Sequence, residues 1–95
     1  MEINKHITED MVIETLFGKC EFAKNYAERN NLTPEAIIKT KVSDFDVDSL
    51  DNAEFVMGLE DGFEVDLGED AMERIYSMTI EEVTAEVNKA IEEQG

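Results

Sequence analysis

A serine between an aspartate and a leucine, Asp48-Ser49-Leu50, heads a segment with strong helical patterning. Beyond it Phe55, Val56, Leu59 and Phe63 recur at the three-four spacing of one helix face. Asp51, Glu54, Glu60 and Asp61 put carboxylates on the remaining surface. Ser49 therefore stands at or just before a helix N-terminus. That end has N–H groups without intrahelical acceptors and the positive end of the helix dipole, and both favour a phosphate. A solvent-facing hydroxyl in this setting suits a phosphodiester. Asp48 can cap the same helix. The plainer alternative is a serine that serves only as an N-cap, a role worth about 1 kcal/mol.

The elements that must position Ser49 read as four helical regions with no convincing strand. Thr8 is an N-cap followed by Glu9 and Asp10. Ile13, Leu16, Phe17, Cys20, Ala23 and Ala27 form the apolar stripe of the first region. Met11, Val12, Phe22 and Tyr26 lie off that stripe, where they cover a second surface or meet a partner. Gly18 is a point of interruption, and Asn30-Asn31 ends the region. Thr33-Pro34-Glu35 starts a short helical turn, with proline at the first helical position. Lys39 to Val47 reads as a long loop, pinned to the core by Ile37, Ile38, Val42 and Phe45. The second helix spans about Ser49 to Gly62, and a short third one about Glu69 to Ile75. Thr79-Ile-Glu-Glu82 is a capping box for the fourth, whose buried stripe is Ile80, Val83, Val87, Ala90 and Ile91. These stripes have only one another to bury against. The expected fold is all-α: a small antiparallel bundle of three main helices plus a short one, in a single domain over residues 1–95. Residues 1–15 form an N-terminal extension or lengthen the first helix.

The run Asp44-Phe-Asp-Val-Asp-Ser-Leu-Asp-Asn-Ala-Glu-Phe-Val-Met-Gly-Leu-Glu-Asp-Gly-Phe63 resembles the signature of acyl carrier proteins. That pattern is roughly Asp-Leu-Gly-x-Asp-Ser-Leu, then a helix ending in Leu-Glu-x-x-Phe. The likeness continues through Glu64-Val-Asp-Leu67, Asp70-Ala-Met-Glu-Arg-Ile75 and Thr79-Ile-Glu-Glu-Val83, so it covers roughly residues 32–91 by motif matching. The resemblance implies a four-helix bundle whose motif serine, here Ser49, is esterified by 4′-phosphopantetheine from coenzyme A. A separate phosphopantetheinyl transferase makes the bond, and the arm's thiol then holds an acyl group as a thioester. Asp48 and Leu50 flank the attachment point, and Asp48 helps position it for the transferase and its metal-bound coenzyme A. The acidic face of the second helix, Asp51, Glu54, Glu60 and Asp61, with Ala53, Met57 and Leu50 as its apolar part, would meet basic surfaces of acyl-transfer, fatty-acid or polyketide enzymes. Such a chain is a carrier and not a catalyst, and a monomer is expected.

Composition bounds the same choice. Ninety-five residues carry 24 acidic and 8 basic side chains, a formal charge of −16. That argues against nucleic acid and anionic membrane surfaces, and for basic protein partners met quickly and salt-sensitively. Self-repulsion opposes folding, so added salt is predicted to raise the melting temperature. An unchanged melting temperature would show that repulsion is not limiting. The lone cysteine, Cys20, excludes an internal disulfide and falls on the apolar stripe as a core thiol. The N-terminus lacks a basic stretch followed by an apolar run, and a cytoplasmic location is the expectation.

Other chemistries fit poorly. Asp44-x-Asp46-x-Asp48 begins like a calcium loop, but Ser49 replaces the required glycine and Phe55 the required glutamate. His6 stands alone near the chain end. No nucleophile–base set, phosphate-cradling glycine loop or zinc spacing appears, so neither a catalytic set nor a metal site is expected. A peptidyl carrier would show Gly-Gly-x-Ser where this chain has Asp46-Val-Asp-Ser. An unmodified acidic interaction module is the remaining rival. Against the family pattern, Asp46 replaces a glycine, Gly68 replaces a proline and should loosen that joint, and Gly58 and Gly62 sit within the second helix. Those two glycines are expected to soften the bundle around an acyl pocket, which makes Gly58→Ala stabilising.

Overall fold

The computed structural model describes residues 6–94. Thr8 starts the first helix, α1 (Glu9–Lys19), by accepting a hydrogen bond from the Met11 N–H at 3.4 Å. The first region does not run on as one helix. It breaks at Cys20, which adopts extended backbone (φ −137°, ψ 100°), and resumes as α2 (Glu21–Arg29). Gly18 stays inside α1, so the glycine is not the interruption. An unbroken helix from Thr8 to Asn30 would be roughly 33 Å long. The longest neighbours, α4 (Ser49–Phe63) and α6 (Ile80–Gln94), have 15 residues each, or about 22 Å. The last turns of a straight helix would find nothing to bury against. The break folds Ala23 and Ala27 back into the core. It also reorients the α1 stripe: Val12 is fully buried with Leu16 and Cys20, whereas Ile13 and Phe17 are half-buried at its edge.

Thr33 caps α3 (Pro34–Ile38) through its hydroxyl, which accepts from the Ala36 N–H at 3.1 Å. A 3₁₀ turn at Val42–Asp44 lies within the segment read as loop, with Val42, Phe45 and Val47 buried. Phe45 makes edge-to-face contacts with Phe17 (6.3 Å) and Tyr26 (5.9 Å). The short α5 (Ala71–Tyr76) precedes α6, whose expected capping box is formed: Thr79 N–H donates to Glu82 Oε1 and Glu82 N–H to Thr79 Oγ1. Among the described residues there is no strand, only one isolated bridge between Lys41 and Thr79. The result is an all-helical bundle in which α1, α4 and α6 are the long elements.

The ends of the bundle are tied by polar contacts. Ile7 donates its N–H to Asn88 Oδ1 (2.7 Å) and accepts from Asn88 Nδ2 (3.1 Å). Of the proposed N-terminal extension, residues 1–5 lie outside the described residues, and α1 accounts for the remainder from Glu9. The joint before α5 is not loose. Gly68 has φ +98°, which no proline could adopt. Glu60, Asp66, Arg74 and Gln94 all hydrogen-bond the backbone between Asp66 and Gly68. Arg74 also pairs with Asp70 and Glu86.

The two α4 glycines differ. A Cβ on Gly62 would meet open space, whereas one on Gly58 would lie 2.9 Å from Lys19 Cε and 3.2 Å from Thr15 Cγ2. Thr15 is held in place by a hydrogen bond from its hydroxyl to the Met11 carbonyl at 3.0 Å. Gly62→Ala should therefore stabilise by about 0.5–1 kcal/mol through helix propensity. Gly58→Ala should gain less, because the close approach of α1 opposes it. Thermal melts of the two variants check this; equal gains would show that α1 yields at no cost.

Candidate functional site

Ser49 is the first residue of α4, and its side chain is exposed. Asp48 takes the capping role: its Oδ1 accepts from the Asp51 N–H at 2.8 Å. The serine hydroxyl is thus spared from capping, and among the described residues it makes no hydrogen bond. The N–H groups of Ser49 and Leu50 belong to the first turn and have no intrahelical acceptor. An esterified phosphate at Ser49 would find those two donors and the helix dipole beside it. The donor set therefore fits a phosphodiester at this oxygen, with the like-charged Asp48 carboxylate nearby working against it.

The approach to Ser49 is fixed from three sides. Tyr76 donates its hydroxyl to the Val47 carbonyl (2.7 Å), Phe45 plugs into α1 and α2, and Val42 N–H donates to the Met78 carbonyl (2.9 Å). Asp46 has φ +62°, in the left-handed region. The substitution keeps a backbone shape that glycine adopts freely and that aspartate tolerates better than most residues. Its carboxylate meets Arg29 Nη2 of α2 at 3.0 Å. Both side chains are more than half exposed, so the pair orients the loop more than it stabilises it.

The predicted docking residues separate by environment. Leu50 (68% exposed), Glu54, Met57 (48%) and Asp61 lie open to solvent, with Ala53 half-buried between them. Asp51 and Glu60 sit at the edges, half-buried. Glu60 Oε2 accepts from the Leu67 N–H at 2.9 Å, so this carboxylate braces the following connection. Asp51 lies against the buried Cys20 thiol, which joins the start of α4 to the α1–α2 break. Burial first, and then the hydrogen bond and charge of Asp51, push the thiol's pKa up from 9.0, while the N–H groups of Ala23 and Phe22 pull it down.

Two contributors escaped the sequence. Met72 of α5 is 42% exposed, and Asn52 of α4 donates Nδ2 to its carbonyl at 2.8 Å. Asn52 is buried, and its Oδ1 has no partner among the described residues, so the contact it makes is the one that clamps α5 to α4. An asparagine beside an apolar stripe reads as a surface residue, which hid this role. Phe22, at the start of α2, is 66% exposed. His6 Nε2 lies 2.6 Å from Glu92 Oε2. Its neighbour Ile7 lines a hollow with Met11, Gly62, Phe63 and Ile91, at the opposite end of α4 from Ser49. Among the described residues no group of three or more His, Cys, Asp or Glu side chains is arranged to hold a metal ion, and no helix is long and apolar enough to cross a membrane.

Comparison with known proteins points the same way. Acyl carrier protein SF2, chloroplastic, of Brassica campestris and acyl carrier protein, chloroplastic, of Brassica napus are each 33% identical to the chain over 58 residues. The chain resembles acyl carrier proteins. The matched span is 61% of this chain and 42% of each relative, so it covers less than half of the proteins it matches. No protein-family profile matches the chain, and no solved structure does. The all-helical bundle is consistent with the acyl-carrier-protein likeness, and α2 is where the chain's longer first region becomes a separate helix.

Proposed function

We propose that this protein is an acyl carrier protein that holds acyl intermediates as thioesters on a 4′-phosphopantetheine arm esterified to Ser49. The observation that supports this best is the division of labour at the start of α4. Asp48 satisfies the helix end, and the adjacent serine hydroxyl is exposed and has no hydrogen-bond partner among the described residues. A serine needed only as a cap would occupy the Asp48 position. The similarity to named acyl carrier proteins adds independent support.

The chain's own residues supply the acceptor oxygen and its presentation. Among the described residues no histidine or lysine hydrogen-bonds Ser49, and in this reading the transferase supplies the base that removes its proton. The arm supplies the thiol that bears the acyl group. Leu50, Met57 and Met72 offer apolar contacts to the enzymes that load and unload it, and Glu54 and Asp61 attract their basic surfaces. The functional partners are therefore a phosphopantetheinyl transferase and acyl-transfer enzymes of fatty-acid, lipid or related acyl metabolism.

Cargo separates this function from its neighbours. The arm-bearing protein, given an acyl–acyl carrier protein synthetase, ATP and a fatty acid, is expected to gain a hydroxylamine-labile acyl group. Loading only by an amino-acid-activating enzyme would instead make it a peptidyl carrier.

A further inference from the structure

Lys19 ends α1, yet its side chain also lies along α4. Its Cε and Cγ stand 2.9 and 3.5 Å from where a Gly58 Cβ would be. The glycine therefore acts as a seat, and any larger residue would displace the lysine. Gly58 lies one helical turn after Glu54, next to Met57, and three residues before Asp61, so its neighbours on α4 are the open docking residues. Among the described residues Lys19 forms no ion pair within 4.0 Å, in contrast to Arg29, Lys39 and Arg74. An exposed lysine thus stands beside the α4 face that carries Glu54 and Asp61.

We propose that Lys19, seated on Gly58, is a specificity-determining cation of the docking face, deepening the carrier function proposed above and resting on it. A partner with a uniformly basic patch gains from Glu54 and Asp61 but is repelled at Lys19. A partner with a carboxylate opposite Lys19, set into an otherwise basic patch, gains from all three. Charge placed this way discriminates by penalising the wrong partner as much as by attracting the right one. It acts chiefly on the encounter rate and is weakened by salt. The class of partner that fits is an enzyme whose basic surface is interrupted by an acidic residue.

The test uses the full chain, coenzyme A and a broad-specificity phosphopantetheinyl transferase with a basic docking patch. Initial rates give kcat/KM at low and high salt. Lys19→Ala is expected to raise kcat/KM roughly three- to fivefold at low salt, and Lys19→Glu further, with the gain closing near ~0.5 M salt. Gly58→Ala, which unseats the lysine, should shift the rate toward that of Lys19→Ala. Lys24→Ala removes an equal charge from exposed α2 and should change the rate less than about twofold. Melting curves confirm that each variant is folded. Equal rates for wild type and the Lys19 variants, a matching gain in Lys24→Ala, or a gain that persists at high salt would overturn the proposal while leaving the carrier function intact. Failure of the transferase to modify any form, wild type included, would remove the carrier function and this proposal together.

Discussion

Phe45→Ala is expected to cost about 3–5 kcal/mol of stability, the range for truncating a buried aromatic. Small domains have only about 5–15 kcal/mol in total, and this one carries a formal charge of −16. The variant should therefore be partly unfolded at room temperature in low salt. Phe45 is fully buried and packs edge-to-face with Phe17 of α1 and Tyr26 of α2. It is also the anchor of the segment that delivers the chain to Ser49, four residues on. Removing it opens a cavity between three elements that cannot all collapse into it. Phe45→Leu keeps most of the volume and should lose much less, about 1–1.5 kcal/mol. Urea titrations of both variants measure this. A loss below about 1 kcal/mol in Phe45→Ala would mean that the loop is held by its hydrogen bonds to α5 and α6 and not by the aromatic cluster.

Cys20 should react with a maleimide at least ~100-fold more slowly in the native protein than in denaturant, because labelling requires local opening of the core. The thiol is 2% exposed. Its pKa is raised, first by burial and then by the Asp51 carboxylate, so at neutral pH little thiolate is present to attack. The sign of the linked effect follows. Folding raises the thiol's pKa, so the contribution is intact below the ordinary value of 9.0 and is lost as pH climbs above it, where the unfolded chain ionises first. The slow thiol has a practical use: a 4′-phosphopantetheine arm would add one fast-reacting thiol to a protein whose own cysteine is silent. Rapid native labelling of Cys20 in the unmodified protein would show instead that the α1–α2 break is open on the timescale of the reaction.

Much of this architecture was legible in the sequence because local signals agreed with one another. The Thr8 and Thr33 caps, the Thr79–Glu82 capping box and the start of α4 all form where their residue types place them. The identity of Asp48 as the true cap was half visible, since both Asp48 and Ser49 are good capping residues and only backbone geometry chooses between them. The break at Cys20 was not legible. Cysteine has no strong breaking tendency, and the neighbouring Gly18 is the residue that local propensity would blame. What decides the break is bundle length, a tertiary constraint. Val12 was misplaced for the same reason: the stripe was fitted to one long helix, and shortening it rotates the buried column. Glu60 is expected on the docking face, and the sequence did not show that its carboxylate also accepts from the Leu67 N–H, a contact seven residues away.

The measurement that bears most directly on Ser49 is the intact mass of the protein after incubation with coenzyme A and a broad-specificity phosphopantetheinyl transferase, wild type beside Ser49→Ala. The wild type is expected to gain one phosphopantetheine and the variant none, with both melting alike, because the serine hydroxyl hydrogen-bonds no other described residue. A folded wild type that stays unmodified while a control carrier is converted would contradict the assignment and leave the acidic α4 face as the surface of an interaction module.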